Sequence, residues 1–190
     1  MTFDVSRELD KVTNADHHDP FVVLGYHRLP ENPGKVVVRT FQPHAESVDL
    51  VCGDEFTVPM YKMRPVGLFE AVVDYREPFT YHYDALFSHG TRKKIVDPYA
   101  YLPLLSEQDR YLFNNGTLYQ AYRVMGAQTS VVNGEPGVVF RVWAPAARRV
   151  SVIGDFNYWD GRRHAMRRSA TLALSIWSRA AYFVAPMSPP

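Results

Sequence analysis

The sequence predicts an all-β chain, built as two sandwich modules in tandem behind a short N-terminal helix. Three observations carry that expectation. Short stretches of alternating apolar and polar residues, bounded by Gly, Pro, Asn or Asp, recur from Phe21 onward. A segment beginning at Val36 returns without a gap 102 positions later. Composition agrees, because 14% aromatic residues and 14 prolines in 190 positions suit strands separated by many turns.

The elements follow in order. Val5, Leu9 and Val12 stand at helical spacing among charged neighbours, so the chain opens on an amphipathic helix. That helix ends before Asp19-Pro20, since a residue preceding proline is steered away from helical angles. Lys35–Gln42, Val48–Val51, Leu68–Tyr75 and Phe79–Phe87 then read as strands. In the last of them Tyr81, Tyr83 and Ala85 share one face, and Thr80, His82 and Asp84 the other. Asp97–Pro103 is a proline-bounded connector, Asn115-Gly116 a turn, and a new strand region starts after Gly137. The repeat aligns Val36–Val51 with Val138–Ile153. Val36/Val138, Val37/Val139, Arg39/Arg141, Pro43/Pro145, Ala45/Ala147 and Val48/Val150 are identical, and Phe41/Trp143 are both aromatic. Each copy reads as a strand, a turn at the proline and a second strand, and several such units suggest sandwiches. One continuous β domain is the alternative.

Other classes are excluded. A hydrophobic share of 46% with 22% charged residues is globular composition. A net charge of +1 gives no general attraction to nucleic acid or anionic lipid. Cys52 is the single cysteine, so neither an intramolecular disulfide nor a multi-thiolate zinc site is available. The opening MTFDVSRELDK lacks the apolar stretch of a signal peptide, and no later run is long enough to span a bilayer. Charge is uneven, however: from Gly161 to Pro190 there are five Arg and no acid, against sixteen basic and twenty acidic residues before them. This tail is expected to be terminal sequence without a fold of its own.

Chemistry-bearing clusters are few. Asp155 and Asp160 flank an aromatic segment, but a Gly/Asp/Asn-rich setting assigns them turn roles. His17-His18-Asp19 has no second ligand pair at useful spacing and reads as a solvated pair at a helix end, so no metal site is assigned. There is no nucleophile elbow and no phosphate-cradling loop. Phe156, Tyr158 and Trp159 are more informative. A ring exposed in this turn presents a flat apolar face to the C–H-bearing face of a pyranose, with Asn157 and Arg162 placed to bond hydroxyls. For Trp159 a sugar platform and a core position are both open, whereas Phe156 is expected in the core.

DPFVVLGYH (19–27), VDPYAYLPLLSEQDRYLFNNG (96–116), MGAQ (125–128) and VVFRVWAPAARRVSVIGDFNYWDGRRHAMR (138–167) together resemble the amino-terminal part of bacterial 1,4-α-glucan (glycogen) branching enzymes, within the α-amylase superfamily. The resemblance runs from about Asp19 to Arg167. It implies two successive immunoglobulin-like β modules ahead of a (β/α)₈ catalytic barrel, the second of carbohydrate-binding type. The expected division is a helical segment at 1–19, a first module at 20–114, an incomplete second module at 115–167 and a divergent tail at 168–190. It also makes Trp159, and after it Asn157, candidate glucan-binding residues.

The resemblance implies that the parent enzyme cleaves an α-1,4 glucan and rejoins the segment as an α-1,6 branch, using carboxylates that all lie in the barrel. A barrel needs about 250 residues by itself, so this chain is expected to be inactive alone and no catalytic residue is assigned. Expected partners are α-glucan and, in cis, the barrel, with no nucleic acid, membrane, metal or cofactor, and the expected compartment is the cytoplasm. A free-standing glucan-binding module and the non-functional remnant of a disrupted gene are the alternatives. Gln128 stands where the family usually has His, and Ala165 where it usually has Pro. The acid-free tail reads as a shifted frame or a truncated gene, which would leave the second sandwich with an exposed edge and core.

Overall fold

A computed structural model describes residues 4–53, 56–75, 79–100, 106–132, 135–144, 146–167 and 184–186. The far end of the Asp97–Pro103 connector, the Pro43/Pro145 match and all of the tail except 184–186 therefore lie outside the described residues. The expected all-β class holds. Among the described residues three antiparallel sheets account for the strands and two α-helices accompany them, and the chain divides into two compact units, Met1–Tyr101 and Leu102–Pro190.

The first unit is a sandwich. One sheet has the order β1-β2-β6-β5, from Gly25–Leu29, Asn32–Phe41, Leu68–Asp74 and Tyr61–Lys62. The other has the order β4-β3-β7-β8, from Phe56–Pro59, Ala45–Cys52, Tyr81–Phe87 and Arg92–Ile95. Val36, Val38, Phe69, Ala71 and Val73 of the first sheet meet Val48, Leu50, Tyr83, Ala85 and Phe87 of the second in one buried cluster. The alternation read from Phe79–Phe87 is thus the one the fold uses, with Tyr83 and Ala85 fully buried.

Helix α1 (Val5–Thr13) makes a second, smaller core. Asp4 caps it by accepting the Arg7 N–H at 3.2 Å. Leu9 and Val12 then bury against Val23, Leu24, Phe41 and Leu68. β2 reads Val36-Val37-Val38 without alternation because all three valines are buried. His17 departs from the sequence expectation. It is buried rather than solvated, with its Nδ1 accepting the Asp19 N–H at 3.0 Å and its Nε2 lying 3.1 Å from Glu8 Oε2. The ring closes the turn that follows α1, with Nδ1 hydrogen-bonded to the turn and Nε2 beside the Glu8 carboxylate. Gly67 is required at its position, with φ +96 and an added Cβ only 2.7 Å from Pro43 Cα.

Asp97 sits beneath the edge of the sandwich with no exposure. Its Oδ2 accepts the hydroxyls of Tyr81 at 2.5 Å and Tyr83 at 2.7 Å, and its Oδ1 accepts the Tyr99 N–H at 2.9 Å. Burial pushes its carboxyl above the ordinary aspartate value, and burial with the neighbouring carboxylate holds both phenols well above theirs.

The second unit opens on α2 (Glu107–Asn114), which the sequence reading did not anticipate. Ser106 caps it, its Oγ accepting the Asp109 N–H at 3.0 Å. Its sheet has the order β11-β10-β9, from Val184–Pro186, Glu135–Arg141 and Gly126–Val132. Part of the tail is therefore not structureless. Val184–Pro186 pairs antiparallel with Gly137–Val139, because the outer side of β10 offers a ladder that a short extended segment can complete.

The repeat is wider than the sequence match. A single 3-10 turn precedes β1 (Pro20–Val22), and another precedes β9 (Ala121–Arg123). Each leads into a glycine at positive φ, +82 at Gly25 and +84 at Gly126. Gly25 then pairs with Arg39, and Gly126 with Arg141. Even a side-chain tether recurs: His27 Nε2 lies 2.9 Å from Leu24 O, and Gln128 Nε2 donates to Met125 O at 3.0 Å. Gln128 thus makes the bond that an imidazole makes in the first copy. The second half of the repeat differs. Ala45–Cys52 is the strand β3, paired on both sides, whereas 147–154 forms one bridge, Ser151 with Ala165. Among the described residues this segment has a partner on one side only, and a strand with half its ladder is correspondingly shorter.

Candidate functional site

The bridged segments position the site. Met166 N donates to Val150 O at 2.9 Å and Val152 N to His164 O at 3.0 Å, so the chain between them must turn back on itself. The turn is Gly154–Gly161, with a 3-10 turn at Asp155–Asn157. Arg149 ties its far end by donating to Gly161 O.

Asn157 is the centre of this loop. It is fully buried, and its amide is engaged at every point the geometry gives. Oδ1 accepts the Gly154 N–H at 3.0 Å, and Nδ2 donates to Val152 O at 2.9 Å and to His164 Nδ1 at 2.8 Å. An amide is suited to this because it both accepts and donates in one plane. The bond to His164 fixes the imidazole as the neutral form with Nδ1 accepting. Burial, with Arg163 beside it, pushes His164 down to about 3.

That shift gives a pH dependence. Below the ordinary histidine value of about 6.5 the unfolded chain takes up a proton that the folded loop refuses. The stability His164 supplies is present at pH 7 and is lost as pH falls toward 3. At pH 5 the loss from this group is about 2 kcal/mol. Thermal unfolding of the wild type and of His164→Gln at pH 7 and pH 5 checks it. The wild type is expected to lose distinctly more stability on acidification than the variant, and equal losses would refute the assignment.

The burial of Asn157 sends its neighbours outward. Trp159 is 63% exposed, Tyr158 56% and Phe156 48%. Phe156 was expected in the core, and that expectation is corrected: the inward position of the turn belongs to Asn157. The Phe156 ring instead lies over Gly154, where an added Cβ would come within 2.6 Å of it, and 5.3 Å from the His164 ring. Tyr158 and Trp159 both adopt left-handed backbone, at φ 55 and 59. For residues with a Cβ this costs of order 1–2 kcal/mol each. Backbone bonds hold them there, from Trp159 N to Gly154 O at 3.0 Å and from Asp160 N to Asn157 O at 3.0 Å.

Both acids of the segment are engaged within it. Asp155 Oδ1 accepts the Trp159 indole N–H at 2.9 Å, which fixes the edge of the ring while leaving the side chain largely exposed. Asp160 receives the Arg162 guanidinium, Nη2 to Oδ2 at 2.7 Å, and also the Arg162 backbone N–H at 2.9 Å. Among the described residues no group of three or more His, Cys, Asp or Glu is placed to hold a metal ion. Among them, too, no helix is long and apolar enough to cross a membrane. What the loop offers is three exposed aromatic side chains on a turn held by hydrogen bonds.

Comparison with known proteins identifies what both parts of the chain are similar to. Residues 5–99 match the model of the alpha-1,4-glucan branching enzyme GlgB N-terminal domain. Residues 124–180 match carbohydrate-binding module 48 (isoamylase N-terminal domain), a stretch that contains the whole aromatic loop. Similar proteins include three named 1,4-alpha-glucan branching enzyme GlgB. The one from Pseudomonas putida is 43% identical over 163 residues, 85% of this chain and 22% of that protein. Those from Paramagnetospirillum magneticum and Thermosynechococcus vestitus are 41% identical over 162 residues and 40% over 164, each covering 85% of this chain and 21% of the relative. The chain thus spans about a fifth of the length of these relatives.

Proposed function

Since this chain belongs to the family of the GlgB amino-terminal domain and carries a module 48 segment behind it, we propose that it is the non-catalytic front part of a glycogen branching enzyme, docking α-glucan on Trp159. The observation that carries the proposal is the exposed indole on a braced turn. A pyranose stacks its C–H face on such a ring, gaining apolar burial while its hydroxyls stay wet. Asn157 contributes from beneath. Its side chain is spent on Gly154, Val152 and His164, so it holds the platform in place and presents no free donor to a sugar.

The chemistry of branching belongs, in this proposal, to a catalytic barrel carried elsewhere in the parent enzyme, with which these modules act in cis in the cytoplasm. The purified chain should therefore leave the iodine stain of amylose unchanged, and a reproducible change would overturn the non-catalytic reading. A free-standing glucan-binding module would behave identically in binding assays, and sequencing downstream of the gene separates the two.

The platform itself is tested by affinity electrophoresis in gels with and without glycogen. Trp159→Ala is expected to weaken retardation about tenfold, the usual scale for losing an aromatic anchor. Trp159→Tyr should retain part of it. Undiminished retardation of a Trp159→Ala variant with native circular dichroism would remove the assignment.

A further inference from the structure

We propose that β9 is a self-association edge, through which two copies of this chain join their three-stranded sheets antiparallel about a two-fold axis at Thr129. The sheet order places β9 outermost, with β10 on one side and no strand on the other among the described residues. Which groups face outward follows from Pro136. It stands opposite Val131 and has no N–H, so that pair exchanges no ladder bonds. By alternation the N–H and C=O groups of Ala127, Thr129 and Val131 turn away from β10, while Gln128, Ser130 and Val132 bond to it. Ala127, Thr129 and Val131 are also the exposed residues of the strand.

This row is symmetric about its middle member. A second β9 laid antiparallel, with Thr129 against its own counterpart, sets Ala127 against Val131 and Val131 against Ala127. All three outward pairs then exchange both bonds, and the contact is the same patch on both copies. The side chains permit it. Gly126–Val132 contains no charge and no proline, the two devices that usually protect an edge. The other edges of the chain carry such devices. β8 reads Arg92-Lys93-Lys94-Ile95, β1 contains Arg28, β4 is four residues ending in Pro59, and β11 is three residues ending in Pro186. The internal repeat sharpens the contrast, because β1 is the counterpart of β9. A Cβ at Gly25 would meet Tyr99 at 2.9 Å, whereas one at Gly126 meets nothing within 4 Å among the described residues. In the first copy the strand is charged and has the turn at Tyr99 packed against its start; in the second it is neutral and has neither.

Sedimentation over a wide range of concentration tests the proposal, together with amide exchange on the unmodified chain. The wild type is expected to form a dimer as concentration rises, with the amides of Ala127, Thr129 and Val131 gaining protection in step. Thr129→Lys sets two like charges face to face at the axis and should weaken the dimer by about tenfold or more, without disturbing the β9–β10 pairing. A chain that stays monomeric throughout overturns the proposal. So does a Thr129→Lys variant that dimerises as the wild type does. Protection of the three amides that is independent of concentration also overturns it, since it would mean that a segment of the same chain covers the edge.

Discussion

Asp97→Ala is expected to lower the stability of the first unit by about 3 kcal/mol, close to 15 °C in melting temperature for a unit of this size. The carboxylate accepts two phenolic hydroxyls and a backbone N–H in a place with no exposure. Removing it strands those donors and opens a cavity, and each buried unpaired group costs on the order of 1–3 kcal/mol. Part of that cost is offset, because alanine also removes a buried charge. The raised carboxyl value measures this second term. The folded state binds the Asp97 proton before the unfolded state does, so this group adds stability as pH falls through its native value toward the ordinary one. Asp97→Asn keeps an acceptor without the charge and should lose much less, on the order of 1 kcal/mol. Urea unfolding of the full chain, followed by tyrosine fluorescence, gives both numbers. Equal losses for the two variants would show that the hydrogen bonds are not what matters.

Asn157→Ala is expected to abolish glycogen retention while leaving Trp159 in the sequence. Three hydrogen bonds converge on this one buried amide, and its loss leaves the Gly154 N–H, Val152 C=O and His164 Nδ1 without the partner. The lost bonding, about 3 kcal/mol, is of the same order as the strain held in the two left-handed residues, so without it Tyr158 and Trp159 are free to relax to ordinary backbone. The indole then leaves its bond to Asp155 and its orientation. Tryptophan fluorescence and affinity electrophoresis should change together. A variant that binds glycogen as the wild type does, with its turn loosened, would show that Trp159 needs no bracing.

The regular strands of the first unit were legible because each alternates against a core. Lys35–Gln42, Leu68–Tyr75 and Phe79–Phe87 lie within three residues of the bounds of β2, β6 and β7. The repeat was legible where it is hydrophobic and hidden where it is geometric. Leu24-Gly25 and Met125-Gly126 are 101 positions apart rather than 102, so a gapless match passes over them, although the two glycines take nearly the same positive φ. Helix α2 was missed because none of its residues is buried, which leaves no apolar stripe, and only the cap at Ser106 and the acids at Glu107 and Asp109 announce it. In the candidate loop the turn itself was legible from its Gly, Asp and Asn residues, but its interior was not. Reading Asn157 as a sugar ligand and Phe156 as core follows hydrophobicity, whereas a tight turn buries the residue that can satisfy its backbone.

The left-handed conformation of Tyr158 and Trp159 has a thermodynamic consequence for any ligand of the loop. Ordering a flexible turn around a sugar would charge its lost conformational freedom to the binding step, at roughly 1–2 kcal/mol per residue. Here that freedom is surrendered during folding, when Asn157 and the backbone bonds lock the turn. Under the proposed docking, a glucan chain meets a finished surface. Association should then be fast and accompanied by little ordering of the protein, so even one weak stacking contact is spent almost wholly on holding the polymer.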